Sequence, residues 1–178
     1  FDTLLPLATG QRIGLFAGSG VGKSTLLAML ARGVSADVVV LGLIGERGRE
    51  VRDFLDNTLG EEGLARACVV VATSDQSPLA KRQAAWLATA VAERFRNEGR
   101  SVLLLLDSLT RFAEAHREIA LAAGEAPSLR AFPPSTAHAI AQLVERTGPG
   151  MAGQGDVTAI YSVLVAGSDM EEPVADIA

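Results

Sequence analysis

Residues 17–25 read Ala-Gly-Ser-Gly-Val-Gly-Lys-Ser-Thr and decide the fold of this 178-residue chain. The stretch fits the Walker A pattern of a phosphate-binding loop, with Ala17 at the first position, where glycine is usual. Glycines let successive backbone N–H groups turn towards phosphate oxygens, and a following helix presents its positive end to the same anion. We expect residues 12–16 to form the strand before the loop and residues 23–32 the helix after it. The stretch therefore predicts a binding site for a nucleoside triphosphate.

The side chains and the backbone of this loop have separate roles. Lys23 reaches the outer phosphates and takes part in catalysis there, and the hydroxyl of Ser24 is a ligand for Mg²⁺. The alternative is a glycine turn that arose by chance, and the predicted strand and helix on either side argue against it. The expected nucleotide-contacting residues are Gly18, Ser19, Gly20, Val21, Gly22, Lys23, Ser24 and Thr25.

The composition favours a sheet buried under helices. Hydrophobic residues make up 48% of the chain but aromatic residues only 4%, so the core is aliphatic. Strands of a covered parallel sheet read as continuous apolar runs of this kind. The mild net charge of −5 gives no sign of the basic surface that nucleic-acid binding requires. The single cysteine, Cys68, excludes an internal disulfide and is expected to be a small buried residue.

Apolar runs and the turn residues between them predict five strands alternating with five helices. The other strands are expected at residues 37–44, 67–72, 102–107 and 157–165, and the other helices at 49–59, 78–97, 111–123 and 138–145. Gly60 is expected to end the second helix, and the long helix 78–97 is expected to bury Leu87 while leaving Thr89 off its apolar face. Residues 124–135 contain three prolines and form a loop, and residues 148–155 form a glycine-rich connection. Such alternation predicts one α/β domain with a mainly parallel sheet flanked by helices.

Asp107 closes the apolar strand Val-Leu-Leu-Leu-Leu-Asp. A carboxylate there lies at the carboxyl edge of the sheet, beside the phosphate loop, where a Walker B aspartate holds Mg²⁺. Many strands end in aspartate, so this prediction depends on the pairing of Asp107 with the Walker A loop earlier in the chain.

Glu46 is the best candidate for the group that orients an attacking water. It follows the strand that ends at Ile44 and Gly45, so it too is expected at the carboxyl edge. The alternative is a solvated charged turn in which Glu50 merely favours the start of the next helix. Spacing alone leaves both interpretations open.

The motifs together resemble one family. They are AGSGVGKST at 17–25, LIGERGREV at 43–51, LLLLDSLTRFAEAHRE at 103–118, PPS at 133–135 and VTAIYSVLVAGSDMEEP at 157–173. In this order and spacing they resemble the ATPase of type III protein export, which serves bacterial flagella and injectisomes. That family is similar to the catalytic subunit of rotary ATP synthases. The resemblance covers essentially the whole chain and implies a RecA-like P-loop core that uses ATP and ADP with Mg²⁺.

The resemblance also implies roles for individual side chains. Glu46 matches the catalytic glutamate that polarises the attacking water, which favours the catalytic interpretation over the charged turn. Arg47 matches an arginine that supports the site, and Arg111 one close to the γ-phosphate. Asp107 matches the Walker B aspartate, and Glu50 a carboxylate that reaches Mg²⁺ through water.

The family pattern implies segments and partners beyond the core. A β-barrel would precede Phe1, and an arginine finger, an adenine-stacking segment and a helical domain would follow Ala178. We therefore expect residues 1–178 to be one core domain excised from a longer protein, mostly monomeric and a poor ATPase alone. The implied assembly is a cytoplasmic homo-hexamer at the inner face of the bacterial inner membrane, attached only through partners. Those partners are a central stalk, a regulatory stator-like subunit, the export gate, and export substrates with their chaperones, but no nucleic acid.

Two stretches depart from the family pattern. Ala131 and Phe132 stand where Gly-Tyr is expected before the two prolines of the loop that faces the central stalk, and Gly-Ser-Asp at 167–169 replaces Gly-Asp-Asp. Both lie away from the phosphate loop. Three alternative functions remain open: a catalytic subunit of a proton-moving rotary ATPase, a non-catalytic nucleotide-binding ring subunit, and a nucleic-acid translocase.

Overall fold

The parallel sheet is built from five strands. A computed structural model describes residues 6–18, 20–165 and 172–178. The strands are β1 (Arg12–Ala17), β2 (Val38–Ile44), β3 (Ala67–Ala72), β4 (Val102–Asp107) and β5 (Val157–Leu164). Their order across the sheet is β1-β5-β4-β2-β3, and all four neighbouring pairs are parallel. The α/β prediction is therefore confirmed.

Helices cover both faces of this sheet. They are α1 (Lys23–Gly33), α2 (Gly48–Asp53), a π-helix (Phe54–Leu59), α3 (Gly60–Leu64), α4 (Pro78–Asn97), α5 (Leu109–Ala122), a 3₁₀ turn (Leu129–Ala131), α6 (Ser135–Glu145) and α7 (Pro173–Ile177). Leu27 of α1 packs with Leu105 on one face, whereas Phe112 of α5 packs with Leu104 on the other. Because both faces are covered, β2 and β4 are buried along their whole length.

The region after β2 differs in part from the prediction. The helical segment ends at Leu59 with Gly60 as its C-terminal cap, at a φ of 70° and a ψ of 178°, as expected. The π-helical geometry of Phe54–Leu59 and the short helix α3 that follows directly were not predicted. Tertiary contacts hold this region in place, because Leu59 is buried and Arg32 of α1 donates hydrogen bonds to the carbonyls of Thr58 and Leu59.

Other helix boundaries shift by a few residues. Helix α5 begins at Leu109 rather than 111, because Ser108 caps it by accepting a hydrogen bond from the backbone N–H of Arg111. Helix α6 begins at Ser135 rather than 138, because the Glu125 carboxylate accepts from the Ser135 backbone N–H. Helix α7 was not predicted.

Helix α4 buries Ala84 and Ala88 as expected, and Val91 and Phe95 pack against the core, but the buried face is rotated relative to the prediction. Leu87 is 55% exposed, whereas Thr89 is fully buried and donates its hydroxyl to the carbonyl of Ala85. The buried side is lined by alanines because this helix lies very close to β2. A Cβ atom built on Gly42 would lie 3.1 Å from the Cβ of Ala88. Small residues therefore form this interface, which a search for large apolar side chains does not find.

We expect Gly42→Val to lower the free energy of unfolding by about 1–3 kcal/mol, as is typical when a packed core is overfilled. The added atoms would meet the Leu106 side chain at 3.0 Å as well as Ala88. Gly33→Ala is the matched control, because a Cβ there has no heavy atom within 4 Å. That variant should be neutral or stabilised by about 0.5 kcal/mol. Urea unfolding followed by circular dichroism measures both, and equal effects would contradict the close-packing argument.

Candidate active site

The carboxyl ends of the strands meet at one edge of the sheet and enclose a cleft of about 970 Å³. We call this the nucleotide cleft. It is lined mainly by the phosphate loop with the first turn of α1, the turn that follows β2, and one side of α5. Further lining comes from Ser74, Lys81, Leu164, Val165 and Glu172. The lining residues that carry predicted roles are Gly18, Gly20, Gly22, Lys23, Ser24, Thr25, Glu46, Arg47, Glu50 and Arg111.

The backbone of the phosphate loop has the conformation that an anion cradle requires. Gly20 and Gly22 have φ values of 77° and 89°, which side-chain-bearing residues rarely adopt. A Cβ built on either glycine would meet no heavy atom within 4 Å, so the space above the loop is open to a ligand. Helix α1 begins directly after the loop, and its free N–H groups face the same space. Ser19 lies outside the described residues.

Three charged side chains from separate elements meet at the base of the cleft. The Lys23 ammonium, at the start of α1, donates a 2.5 Å hydrogen bond to Oδ1 of Asp107 at the end of β4. The same nitrogen lies 3.6 Å from Oε1 of Glu46, which follows β2. The side chains of Lys23 and Asp107 are only 10% and 6% exposed. The structure thus brings together the three residues that the sequence had singled out separately, although their roles remain predictions.

The hydroxyl of Ser162 was missed by the sequence reasoning. Ser162 is fully buried on β5 and donates a 2.6 Å hydrogen bond to Oδ1 of Asp107. The signal available in the sequence was a serine near the end of a strand that also carries the hydroxyl groups of Thr158 and Tyr161. That signal carries no information about the partner, because only the strand order places β5 beside β4.

Glu46 sits in an unfavourable electrostatic setting for a carboxylate. Burial raises its pKa above the ordinary value, the nearby Asp107 carboxylate raises it further, and the Lys23 ammonium opposes both effects. The backbone around it is firmly placed, since the Glu46 carbonyl accepts from the N–H of Ser74 after β3. Ser74 therefore has a structural role in this turn. A carboxyl group with a raised pKa is suited to accept a proton near neutral pH.

Arg47 and Glu50 line the outer cleft but do not reach the Lys23 group. They form an exposed ion pair of 3.2 Å, with side chains that are 69% and 46% exposed. Such a pair contributes at most about 1 kcal/mol to stability, so it is easily exchanged for a ligand.

Arg111 lies on the opposite wall, at the first turn of α5. It pairs with Glu114 at 2.8 Å, and this hydrogen bond raises the pKa of its guanidinium. Its Nε is buried without a hydrogen-bond partner among the described residues. Gly45 allows the close approach of this wall, because a Cβ there would lie 2.8 Å from the Arg111 side chain.

The residues predicted to hold Mg²⁺ supply suitable oxygen atoms. Ser24, Glu46, Glu50 and Asp107 all line a smaller cavity of about 450 Å³ that adjoins the cleft. In the described part of the chain, no three His, Cys, Asp or Glu side chains cluster so as to hold a metal by themselves. Magnesium commonly binds through one or two carboxylates together with substrate phosphates and water. The donor set therefore fits an ion that arrives with a nucleotide.

The histidine at 116 has a structural partner rather than a catalytic one. Its Nε2 lies 2.9 Å from the Ser135 hydroxyl at the start of α6, and burial lowers the pKa of its imidazole.

Within residues 6–18, 20–165 and 172–178, no helix is both long enough and apolar enough to span a bilayer.

The raised pKa of Glu46 predicts that this side chain destabilises the folded protein at neutral pH. Below about pH 4 the carboxyl is protonated in both folded and unfolded chains, so no penalty exists there. As the pH rises through the folded-state pKa, ionisation costs stability. Glu46→Gln should therefore raise the melting temperature at pH 7–8, and the gain should vanish towards pH 4.

Thermal unfolding of wild type and variant across this pH range tests the point. Glu50→Gln is the matched control, because it removes a carboxylate of the same cleft that is paired with Arg47 and well exposed. It should leave the melting temperature almost unchanged. A loss of stability in Glu46→Gln at pH 8 would show that the Lys23 attraction outweighs burial.

Comparisons with known proteins identify the family. The model of the ATP synthase alpha/beta family, nucleotide-binding domain, matches residues 1–178. The flagellum-specific ATP synthase of Salmonella typhimurium is 56% identical over 175 residues, which cover 98% of this chain and 38% of that protein. The flagellum-specific ATP synthase of Pseudomonas aeruginosa is 55% identical, with coverage of 98% and 39%.

A solved structure shows the same fold at similar identity. The ATPase EscN, in complex with its central stalk EscO from the type III secretion system of enteropathogenic E. coli, matches with a TM-score of 0.90 and 49% identity. The match covers 99% of this chain and 42% of that one. The predicted resemblance to type III export ATPases is confirmed, and the chain spans about two fifths of the length of these relatives. The chain therefore belongs to the ATP synthase alpha/beta family and carries the nucleotide-binding domain of that family.

Proposed function

We propose that this domain hydrolyses ATP to ADP and phosphate, and that the protein carrying it uses the energy for type III protein export. The observation that carries the proposal is the meeting of Lys23, Asp107 and Glu46 beneath an open phosphate loop. Hydrolysis by a P-loop protein requires a lysine that binds the phosphates, an aspartate at a strand end that holds Mg²⁺, and a group that orients the attacking water.

Nucleotide binding would begin at the backbone. The N–H groups of the loop and of the first turn of α1 would donate hydrogen bonds to the phosphate oxygens, and Lys23 would exchange its contact with Asp107 for one with the outer phosphates. Ser24 and Asp107 would hold a magnesium ion, with Glu50 acting through water, and that ion supplies charge neutralisation and alignment of the phosphates. Arg47 and Arg111 approach the same charge when they leave their carboxylate partners.

Glu46 would act on the attacking water. Its carboxylate lies 3.6 Å from the ammonium that would bind the phosphates, so a water hydrogen-bonded to Glu46 would lie near the phosphates. The raised pKa of Glu46 makes its carboxylate a stronger proton acceptor than an exposed glutamate. The presence of this residue favours a catalytic subunit over a non-catalytic nucleotide-binding one.

The export role rests on the relatives. The chain shares 55–56% identity with two flagellum-specific proteins and 49% with EscN, which supports the flagellar branch of type III export. EscN has been solved with its central stalk, which supports a corresponding stalk partner here. We extend the proposal to a cytoplasmic homo-hexamer at the inner membrane that meets a stator-like subunit, the export gate, and substrates with their chaperones.

Only part of the proline loop, residues 124–135, is exposed for contact with a stalk. Phe132 packs against the core of the domain, and its ring lies 4.8 Å below the guanidinium of Arg117. Pro133 is buried and Phe132 half-buried, whereas Ala131 and Pro134 are exposed. A stalk would therefore contact Ala131 and Pro134 more extensively than the aromatic ring.

Glu46→Gln should reduce kcat for ATP by at least about 100-fold, the usual loss when a group that assists proton transfer is removed. Nucleotide affinity should persist, because the loop and Lys23 are unchanged, whereas Lys23→Ala should weaken binding itself. Steady-state phosphate release and fluorescence titration with labelled ADP measure the two effects. Glu98→Gln is the control, since it removes an exposed carboxylate paired only with Arg94. Undiminished turnover in Glu46→Gln would remove this mechanism.

The same substitution tests the export role in the organism that encodes the protein. Glu46→Gln should stop flagellar filament assembly and secretion of filament protein, since a bound but unhydrolysed nucleotide supplies no energy. Motility in soft agar and immunoblots of culture supernatants provide the readouts, with Glu98→Gln as the control. Normal motility together with a loss of ATP-driven proton pumping would instead favour a rotary ATPase subunit.

A further inference from the structure

Strand β5 carries the buried hydroxyl group of Ser162 near its carboxyl end, on the face that also carries Ile160. Ile160 on this strand packs with Leu105 and Leu27 on the face covered by α1. Since side chains alternate along a strand, Ser162 lies on the same face, one step closer to the carboxyl edge. Ile160 thus lies in the packed core, whereas Ser162 lies where this face of the sheet reaches the nucleotide cleft.

The Ser162 hydroxyl and the Lys23 ammonium share one acceptor. Ser162 Oγ donates to Oδ1 of Asp107 at 2.6 Å, and Lys23 Nζ donates to the same oxygen at 2.5 Å. The carboxylate is therefore held from two sides, by α1 and by β5. In the proposed function, Lys23 leaves Asp107 to contact the phosphates when a nucleotide binds. Ser162 has no role in phosphate binding, so its hydrogen bond to Asp107 can persist.

The strand that carries Ser162 is firmly attached at this end. The backbone N–H of Leu164 donates a 2.9 Å hydrogen bond to the hydroxyl of Thr110 at the start of α5. Strands β4 and β5 pair in parallel up to Leu106 and Tyr161. The Ser162 hydroxyl therefore has a fixed position relative to Asp107.

We propose that Ser162 is a positioning residue that keeps the Asp107 carboxylate oriented towards Mg²⁺ once Lys23 has moved to the phosphates. This inference rests on the proposed function, in which Asp107 holds the metal. A buried partner that orients a metal-binding carboxylate commonly changes metal affinity or activity about 10- to 100-fold when it is removed. The competing explanation is that Ser162 merely satisfies its own buried hydroxyl, which any buried polar group must do.

The experiment uses three variants of the protein that carries this domain. Ser162→Ala removes the hydroxyl, and Ser162→Thr retains it. Thr158→Val is the matched control: Thr158 lies on the same strand, is 5% exposed, and accepts a 2.9 Å hydrogen bond from the N–H of Gly10 far from Asp107. Each variant is characterised by melting temperature, by ATPase kinetics, and by titration with fluorescent ADP in Mg²⁺ and in EDTA.

The expected result separates positioning from stability. Ser162→Ala should reduce the gain in ADP affinity that Mg²⁺ provides, and should lower kcat, by about 10-fold or more each. Its affinity in EDTA should match wild type, and Ser162→Thr should recover most of both losses. Thr158→Val should lower the melting temperature as much as Ser162→Ala while keeping the Mg²⁺ gain and kcat.

Two results would overturn the inference. The first is a Ser162→Ala protein in which Mg²⁺ increases the affinity for ADP as much as in wild type. The second is a Thr158→Val protein that loses as much of this increase and of kcat as Ser162→Ala does, since the cause would then be a less stable strand. The titration with fluorescent ADP also does not depend on ATP hydrolysis. If the wild-type protein binds ADP in a Mg²⁺-dependent way but hydrolyses no ATP, the proposed function fails while the titration still decides the role of Ser162.

Discussion

The contact of the Lys23 ammonium with two carboxylates is the interaction on which the site depends. Asp107 and Glu46 approach one another closely enough for each charge to matter to the other, and Lys23 lies between them. Like charges at this separation destabilise a protein unless a cation intervenes. The cation comes from α1, and the carboxylates come from the ends of β4 and β2. The strand order of the sheet is therefore what makes the site possible.

Positive charge at the base of the cleft is largely committed to carboxylates. One ammonium serves two carboxylates, while Arg47 and Arg111 are each paired with a glutamate three residues further on. Lys81 also lines the cleft, near the exposed Asp75. The several negative charges of a triphosphate would be balanced by Lys81, by an added cation, or by the two arginines when they leave their partners. The exposed Arg47 pair is the easier one to exchange, because water screens it and it contributes little to stability.

Sequence reasoning succeeded where local pattern decides the structure and failed where packing does. The bounds of β3, α4 and β4 follow from uninterrupted apolar runs, a proline at a helix start and a strand-ending aspartate, and the structure reproduces all three. Leu87 and Thr89 were assigned to the wrong sides of α4, because the close approach to Gly42 selects alanines. Ser162 was missed altogether, since its partner lies 55 residues away and adjacent only through strand order. Spacing also left Glu46 undecided between a catalytic residue and a solvated turn. The family resemblance favoured the first, and the structure adds that its carboxylate lies 3.6 Å from the Lys23 ammonium.

Helix α5 physically joins the nucleotide cleft to the proline loop. Its first turn carries Arg111 on the cleft wall. Its next turns carry His116, which contacts Ser135, and Arg117, which lies over the ring of Phe132. Both contacted residues belong to the proline loop. The helix has 14 residues, and fully buried side chains such as Phe112 fix it against the sheet. One helix therefore connects the two regions that the sequence marked out separately, one by glycines and one by prolines.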